Sequence, residues 1–246
     1  MCAVTPSDPL DARARFLAGI EKASARRDGS VRLCEACVLA LPVQRAGIAV
    51  HVAGIGLEVL CASDGVAERV EWLQVTLGEG PGVDAVASGG PVVVSDLRAP
   101  DGRWPMFAAE AIESGIGAMY ALPLQVGAIR VGVLDLYRDT AAGLDTSDFA
   151  DAVAVADVLT AILLTVGRTG QINGSLGPWW DQPLGTREVH QATGMIVAQL
   201  EVTAAEAYVR LQAFAFLYGR LLGDVAHDVV HRRVRFDPDA DPTRTR

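Results

Sequence analysis

The chain has 246 residues, of which 50% are apolar and 21% charged, and a formal net charge of −9. Such a composition excludes a disordered protein and suffices for one substantial core with a satellite. The charge is uneven: residues 1–166 hold 12 Lys or Arg against 21 Asp or Glu, whereas residues 167–246 hold 9 of each, so only the second part offers a polyanion an electrostatic reason to bind.

Apolar residues recur at helical spacing over residues 12–20 and 31–41, and Pro42 stops the second run, which predicts two opening helices. In Leu33-Cys-Glu-Ala-Cys-Val-Leu-Ala-Leu41 the thiols of Cys34 and Cys37 fall on the apolar face, where cysteine acts as a small buried hydrophobe rather than a metal or redox pair. Ile48, Val50 and Val52 then alternate with smaller or polar residues, and the glycines at 54 and 56 turn this strand into a second over residues 57–63. A helix over residues 66–73, the link Leu77-Gly-Glu-Gly-Pro-Gly82, a short helix to residue 87 and a third strand over residues 91–95 follow. Residues 96–105 read as a loop, and Trp104 and Phe107 open a helix that Gly115 ends.

Two more strands, over residues 118–125 and 128–137, are joined by Val126-Gly127. The second is apolar on both faces apart from Asp135, which places it in the middle of a sheet. Asp145-Thr-Ser-Asp148 starts a helix running to about residue 166, with Phe149, Ala152, Ala156, Leu159 and Leu163 on one stripe and Val155, Val158 and Ile162 off it. A helix apolar nearly all round needs a second covering surface, and a homodimer is the expected source. Its run at residues 153–166 is broken by Asp157 and falls short of the roughly 20 residues of a membrane span. No secretory signal opens the chain either, so no membrane partner is expected and the cytoplasm is the expected location.

Residues 167–185 read as a glycine, proline and polar linker in which Trp179 and Trp180 are expected to dock on a neighbouring domain. Three short helices are expected over residues 186–236. Thr186 can cap the first, whose buried stripe is Val189, Ala192, Ile196 and Leu200; Thr203-Ala-Ala-Glu206 is a capping box for the second, with Val202 and Ala207 as a hydrophobic staple; the third spans residues 222–233. Residues 237–246 form a polar tail that cannot build a core. A unit of about fifty residues is marginal alone, so it should draw support from the rest of the chain or from a dimer.

Ala192-Thr-Gly-Met-Ile-Val197, Glu206-Ala-Tyr-Val-Arg-Leu-Gln212 and Asp224-Val-Ala-His-Asp-Val-Val230, in register without a gap, resemble the ANTAR domain, the three-helix RNA-binding module of transcription antitermination regulators. Leu77-Gly-Glu-Gly-Pro-Gly82, Pro91-Val-Val-Val-Ser-Asp-Leu97, Arg103-Trp-Pro-Met-Phe107, Ala121-Leu-Pro-Leu124 and Gly132-Val-Leu-Asp-Leu-Tyr137 look like a GAF domain of the kind that precedes ANTAR domains in actinobacterial proteins. The resemblance implies an α+β chain: a GAF-like antiparallel sheet flanked by helices over residues 1–166, a linker, and a three-helix ANTAR domain over residues 186–236. It implies a stem-loop RNA partner, with Arg187, Arg210, Arg220, Arg232 and Arg233 on phosphates and His190, Gln191, Thr193, Gln212, His227 and His231 among the contacts. It also implies a small-molecule pocket lined by Trp104, Phe107, Tyr120, Leu122 and Tyr137. Thr193 and Gln212 stand where the family usually has basic residues, and Phe214 and Phe216 where it is more polar. The other reading is therefore a ligand-sensing or protein-interaction module that has lost RNA binding.

No cofactor is expected: neither His51 nor Cys61 lies in a haem or bilin pattern, and the glycines of 78–82 lack a phosphate-loop signature and read as turn geometry. His227 and His231 are spaced i,i+4 as zinc ligands can be, but the residues between them supply no His-Glu-x-x-His base and that unit has no cysteine, so no metal is expected. No nucleophile stands with its base at a recognisable spacing, so the chain is not expected to be an enzyme.

Overall fold

Residues 45–62 fold back on themselves at Gly54 and Gly56, whose φ values of 81° and 110° only glycine adopts freely. A computed structural model describes residues 9–23, 29–52, 54–99, 102–169 and 184–237. The hairpin pairs β1 (Arg45–Val52) with β2 (Gly56–Ala62), and a second hairpin pairs β4 (Ala118–Val126) with β5 (Ile129–Arg138). With the short β3 (Val92–Val94) they form one antiparallel sheet in the order β2-β1-β5-β4-β3. The central place expected for the strand holding Asp135 is the place β5 takes.

One face of the sheet is covered by α1 (Pro9–Lys22), α2 (Gly29–Ala40) and α6 (Thr146–Thr169). Ile48, Tyr120, Leu122, Leu134 and Leu136 point into this layer and meet Phe16, Leu33 and Leu159. Cys34, Cys37 and Cys61 are buried there as free thiols, and burial pushes the thiols of Cys34 and Cys37 well up, so they serve as core. Part of the second surface that α6 requires comes from within the chain. Ala12, Phe16 and Ile20 of α1 pack beside Val155 and Leu159, and Arg15 donates to the buried Asp151 at 2.8 Å. An intrachain helix thus supplies part of the cover for which a partner subunit was expected, and Ile162, Leu163 and Leu164 in the second half of α6 stay half-buried.

The other face carries α3 (Gly65–Leu77), α4 (Pro81–Ser88) and α5 (Pro105–Glu113). Asp64 caps α3 by accepting from the Ala67 N–H at 2.8 Å, and Gly78 ends it in the left-handed conformation with φ 65°. At α5 the cap is remote: one Glu79 oxygen accepts from the N–H groups of Met106 and Phe107 at 3.0 and 2.9 Å. Three further helices follow, α7 (Leu184–Leu200), α8 (Ala204–Leu217) and α9 (Leu222–Val230), and the expected capping box is formed between Thr203 and Glu206. The last helix stops three residues before its expected end, at a turn in which Arg232 has φ 59°. Trp179 and Trp180 lie outside the described residues.

The close approach of α3 to β1 depends on a missing side chain. A Cβ at Gly47 would stand 1.9 Å from Glu71 Oε1. Gly47→Ala is therefore expected to destabilise the chain by about 1–3 kcal/mol, read as a lower urea midpoint at unchanged slope, whereas Gly65→Ala, which meets nothing within 4 Å, stays near the parent.

Candidate functional site

Every residue of α3 from Val70 to Thr76 is buried, although Glu71, Gln74 and Thr76 are polar. The polar side chains serve different neighbours. Toward the sheet, the Tyr137 hydroxyl donates to Glu71 Oε1 at 2.6 Å, Gln74 Nε2 donates to Asp135 Oδ2 at 2.7 Å, and the Gly82 N–H donates to Gln74 Oε1 at 2.7 Å. Glu71 and Asp135 are neighbours in the same buried site, where burial disfavours the charged form of each and the Asp135 charge further disfavours that of Glu71. Glu71 Oε2 and Asp135 Oδ1 are buried without a hydrogen-bond donor among the described residues, which also favours the protonated form. Burial raises both groups: Glu71 well above the carboxylate range, helped by the neighbouring Asp135 charge, and Asp135 from 3.8 to about 7. Gly82 is as constrained as Gly47, since a Cβ there would stand 2.6 Å from Asp135 Oδ2. The glycine-rich link thus supplies turns at Gly78 and Gly80 and a close approach at Gly82.

Away from the sheet, α3 meets the C-terminal helices. Gln212 of α8 donates to the Val75 carbonyl at 2.7 Å, one of the last-turn carbonyls of α3 without a partner in its own helix. The Leu222 N–H, at the uncapped start of α9, donates to the Thr76 hydroxyl at 2.9 Å. Trp72 packs in one apolar cluster with Tyr208, Leu211, Leu222 and Val225, its ring about 3.5 Å from where a Gly223 Cβ would be. At the sheet edge, Thr186 donates its hydroxyl to the Val59 carbonyl of β2 at 2.6 Å rather than capping α7, and His190 Nε2 lies 3.1 Å from the buried Glu58. The rest of the chain thus supplies the support that the small helical unit lacks.

Between the two parts lies a cavity of about 260 Å³. Its walls are His51 and Leu57 of the first hairpin, Gln74 and Val75 of α3, Val83, Val86 and Ala87 of α4, Arg130 of β5, and Tyr208 and Gln212 of α8. Gln74 therefore touches both the cavity and the buried carboxyl pair. None of the five aromatic and aliphatic residues expected in a pocket lines it. Tyr120 and Leu122 point to the opposite face of the sheet, while Trp104, Phe107 and Tyr137 belong to a cluster with Leu73 and Met119. Trp104 is held by its own bond, donating Nε1–H to Asp84 at 3.1 Å.

The residues expected to contact RNA are dispersed. Thr193 is buried and donates to the Val189 carbonyl, and Gln212 and His190 face the sheet domain. Arg220 and Arg233 both bond Asp228, at 2.7 and 3.1 Å, and His227 bonds Glu188. Arg187, Gln191, Arg210, His231 and Arg232 are exposed. Phe214 is half-buried and packs at a tilt against Tyr218 and Phe236, whereas Phe216 is 49% exposed. The residues that sequence reasoning missed are Glu71, Gln74 and Thr76, which look like the polar side of an ordinary surface helix. Only the glycines at 47 and 82 hint at what they approach.

Residues 31–163 match the model of the family described as GAF domain. The GAF domain of a phosphoenolpyruvate-protein phosphotransferase from Coxiella burnetii superposes with a TM-score of 0.52 at 14% identity, covering 68% of this chain and 100% of that one. Free methionine-R-sulfoxide reductase from Neisseria meningitidis, in complex with its substrate, gives 0.48 at 17% identity over 68% and 98% of the two chains. The GAF domain of the Acinetobacter phosphoenolpyruvate-protein phosphotransferase gives 0.46 at 12% over 67% and 97%. The first likeness is one of fold; the other two carry no further weight. No curated protein matches the chain.

The carboxyl pair makes stability depend on pH. Because folding raises the affinity of Asp135 and Glu71 for protons, their contribution is complete below the ordinary carboxylate range, and the share of Asp135 is lost as pH rises through about 7. Denaturant unfolding is expected to show a loss on the order of 2 kcal/mol between pH 5.5 and 8.5. Asp135→Asn, which can still accept from Gln74, should remove the Asp135 share of that slope and leave the share of Glu71 that burial causes.

Proposed function

The chain belongs to the GAF domain family, and from that membership we propose a sensor in which a small molecule in the 260 Å³ cavity sets the position of the three C-terminal helices. The family is one of regulatory and sensory modules, not enzymes. Among the described residues, no helix is long and apolar enough to cross a membrane. The observation that carries the proposal is that Tyr208 and Gln212 of α8 form one wall of a cavity whose other walls belong to the sheet domain. A ligand there touches both parts at once and so has different affinities for the docked and undocked arrangements, which is the requirement for a switch.

The lining narrows the ligand. Ile55, Leu57, Val75, Val83 and Val86 give an apolar body, and Gln74, Gln212, His51 and Arg130 give polar and cationic groups at its margins. A volume just under the roughly 300 Å³ at the low end of ligand pockets suits a small metabolite with an apolar body and an anionic or hydrogen-bonding end.

A second reading adds RNA as the output, supported by the resemblance of residues 189–230 to the ANTAR module and by exposed Arg187, Arg210 and Arg232. In that reading the docked arrangement is the silent one, because Gln212 and His190 are engaged by Val75 and Glu58. Homodimerisation fits either reading, with the half-buried Ile162, Leu163 and Leu164 of α6 as its apolar surface.

Native mass spectrometry of freshly purified chain tests the sensor reading: the parent should carry a small molecule that Val83→Trp, which fills the cavity, does not. A ligand-free parent whose melting point is unmoved by a metabolite panel would contradict it. For the RNA reading, Gly223→Phe should wedge α9 away from Trp72 and raise affinity for hairpin RNA in 50 mM salt by about tenfold or more. If neither parent nor wedge variant binds, the RNA reading is wrong.

A further inference from the structure

The face of the helical unit beside the seam brings together two imidazoles and a carboxylate from helices far apart in sequence. We propose that Glu188 of α7, with His227 and His231 at the end of α9, forms a binding site for one divalent transition-metal ion of the Zn²⁺ class. One ligand atom from each of the three lies within 4.8 Å of the others. His227 Nδ1 stands 3.0 and 3.2 Å from the two Glu188 oxygens. Two ligands of one tetrahedral ion, each about 2.0–2.2 Å from the metal, lie roughly 3.3–3.6 Å apart, so this pair needs little movement to share an ion. The His231 ring lies against that of His227, centroids 4.1 Å apart. Its Nδ1 is 2.8 Å from the His227 carbonyl, to which it can only donate, so the lone pair stays on Nε2. A backbone carbonyl fixing one ring nitrogen while the other is left as a ligand is the usual outer support of a metal-binding histidine.

The surroundings favour a cation. His227 lies in the last turn of α9 and His231 is its C-cap, where the carbonyl ends of the helix point toward a positive charge. Arg220 and Arg233 are both bonded to Asp228, while Arg187 and Arg232, next in sequence to Glu188 and His231, are exposed to solvent. Two nitrogens and one oxygen suit zinc and its neighbours rather than calcium or magnesium, and they leave a coordination position for water or an added ligand. The consequence is structural: the ion would join α7 to α9 and brace a unit too small to build a large core. Glu188 and His227 also line a second cleft, shared with Glu68 and Trp72 of α3, so the brace would sit beside the docking seam.

The test uses the full chain, stripped with a chelator and titrated with ZnCl₂ against a chromophoric competitor. The parent should take up one equivalent, and His231→Ala and Glu188→Gln should each bind about tenfold or more weakly. His231 is exposed and follows the last helical residue, so its removal leaves the fold intact, which far-UV circular dichroism checks. Co²⁺ in place of Zn²⁺ should give visible absorption bands of a four-coordinate site in the parent and lose them in His231→Ala. Zinc uptake by both variants equal to that of the parent, or no stoichiometric uptake by the parent at about 100 µM, would overturn the site.

Discussion

A helix buried on every side must be covered on every side, and α3 is such a helix over the run from Val70 to Thr76. The sheet covers one flank and α5 another, and the remainder is closed by α8 and α9. The last turn of α3 is also hydrogen-bonded to both helices, through Gln212 of α8 to the Val75 carbonyl and the Leu222 N–H of α9 to the Thr76 hydroxyl. An unpaired buried backbone group costs about 1–3 kcal/mol, so undocking the helical unit leaves these groups to be satisfied by water and Trp72 exposed. The two parts are therefore separate in sequence pattern but share one apolar cluster.

The polar interior of α3 runs in the other direction. The Tyr137–Glu71 bond and the bonds from Gly82 through Gln74 to Asp135 form two hydrogen-bonded sets that meet at the buried carboxyl pair. Such a network fixes the angle of α3 against β5 more tightly than apolar packing, which tolerates sliding. Gln74 belongs to the second set and also lines the cavity, so a ligand that bonds Gln74 competes with Asp135 or Gly82 for the same amide. The cavity, the carboxyl pair and the docking seam all meet on this one helix.

Much of the framework was legible in the sequence because it rests on local signals. Alternation and glycine turns gave the two hairpins, the Thr203 to Glu206 box gave the start of α8, and the apolar-on-both-faces character of β5 gave its central position. What was not legible depends on long-range partners. Thr186 has the sequence context of a helix cap, yet it bonds a strand carbonyl 127 residues away. The second surface of α6 was expected from another subunit because nothing local says that α1 returns to it. Aromatic residues expected in a pocket were assigned without knowing which face of the sheet each would take, and Tyr120 and Tyr137 take opposite faces. Glu188, 39 residues from His227, carries no sign in the sequence that it completes a cluster with the two histidines.

Residue-resolved native-state hydrogen exchange of the full chain tests the docking most directly. If α7–α9 are built onto the sheet domain, the Leu222 amide and the core amides of α8 and α9 exchange with the same opening free energy as those of α3 and β2, and Thr76→Val lowers protection at Leu222 first. Exchange throughout α7–α9 at a clearly lower opening free energy than in α3 and β2, unchanged by Thr76→Val, would contradict it and make the helical unit an independent appendage.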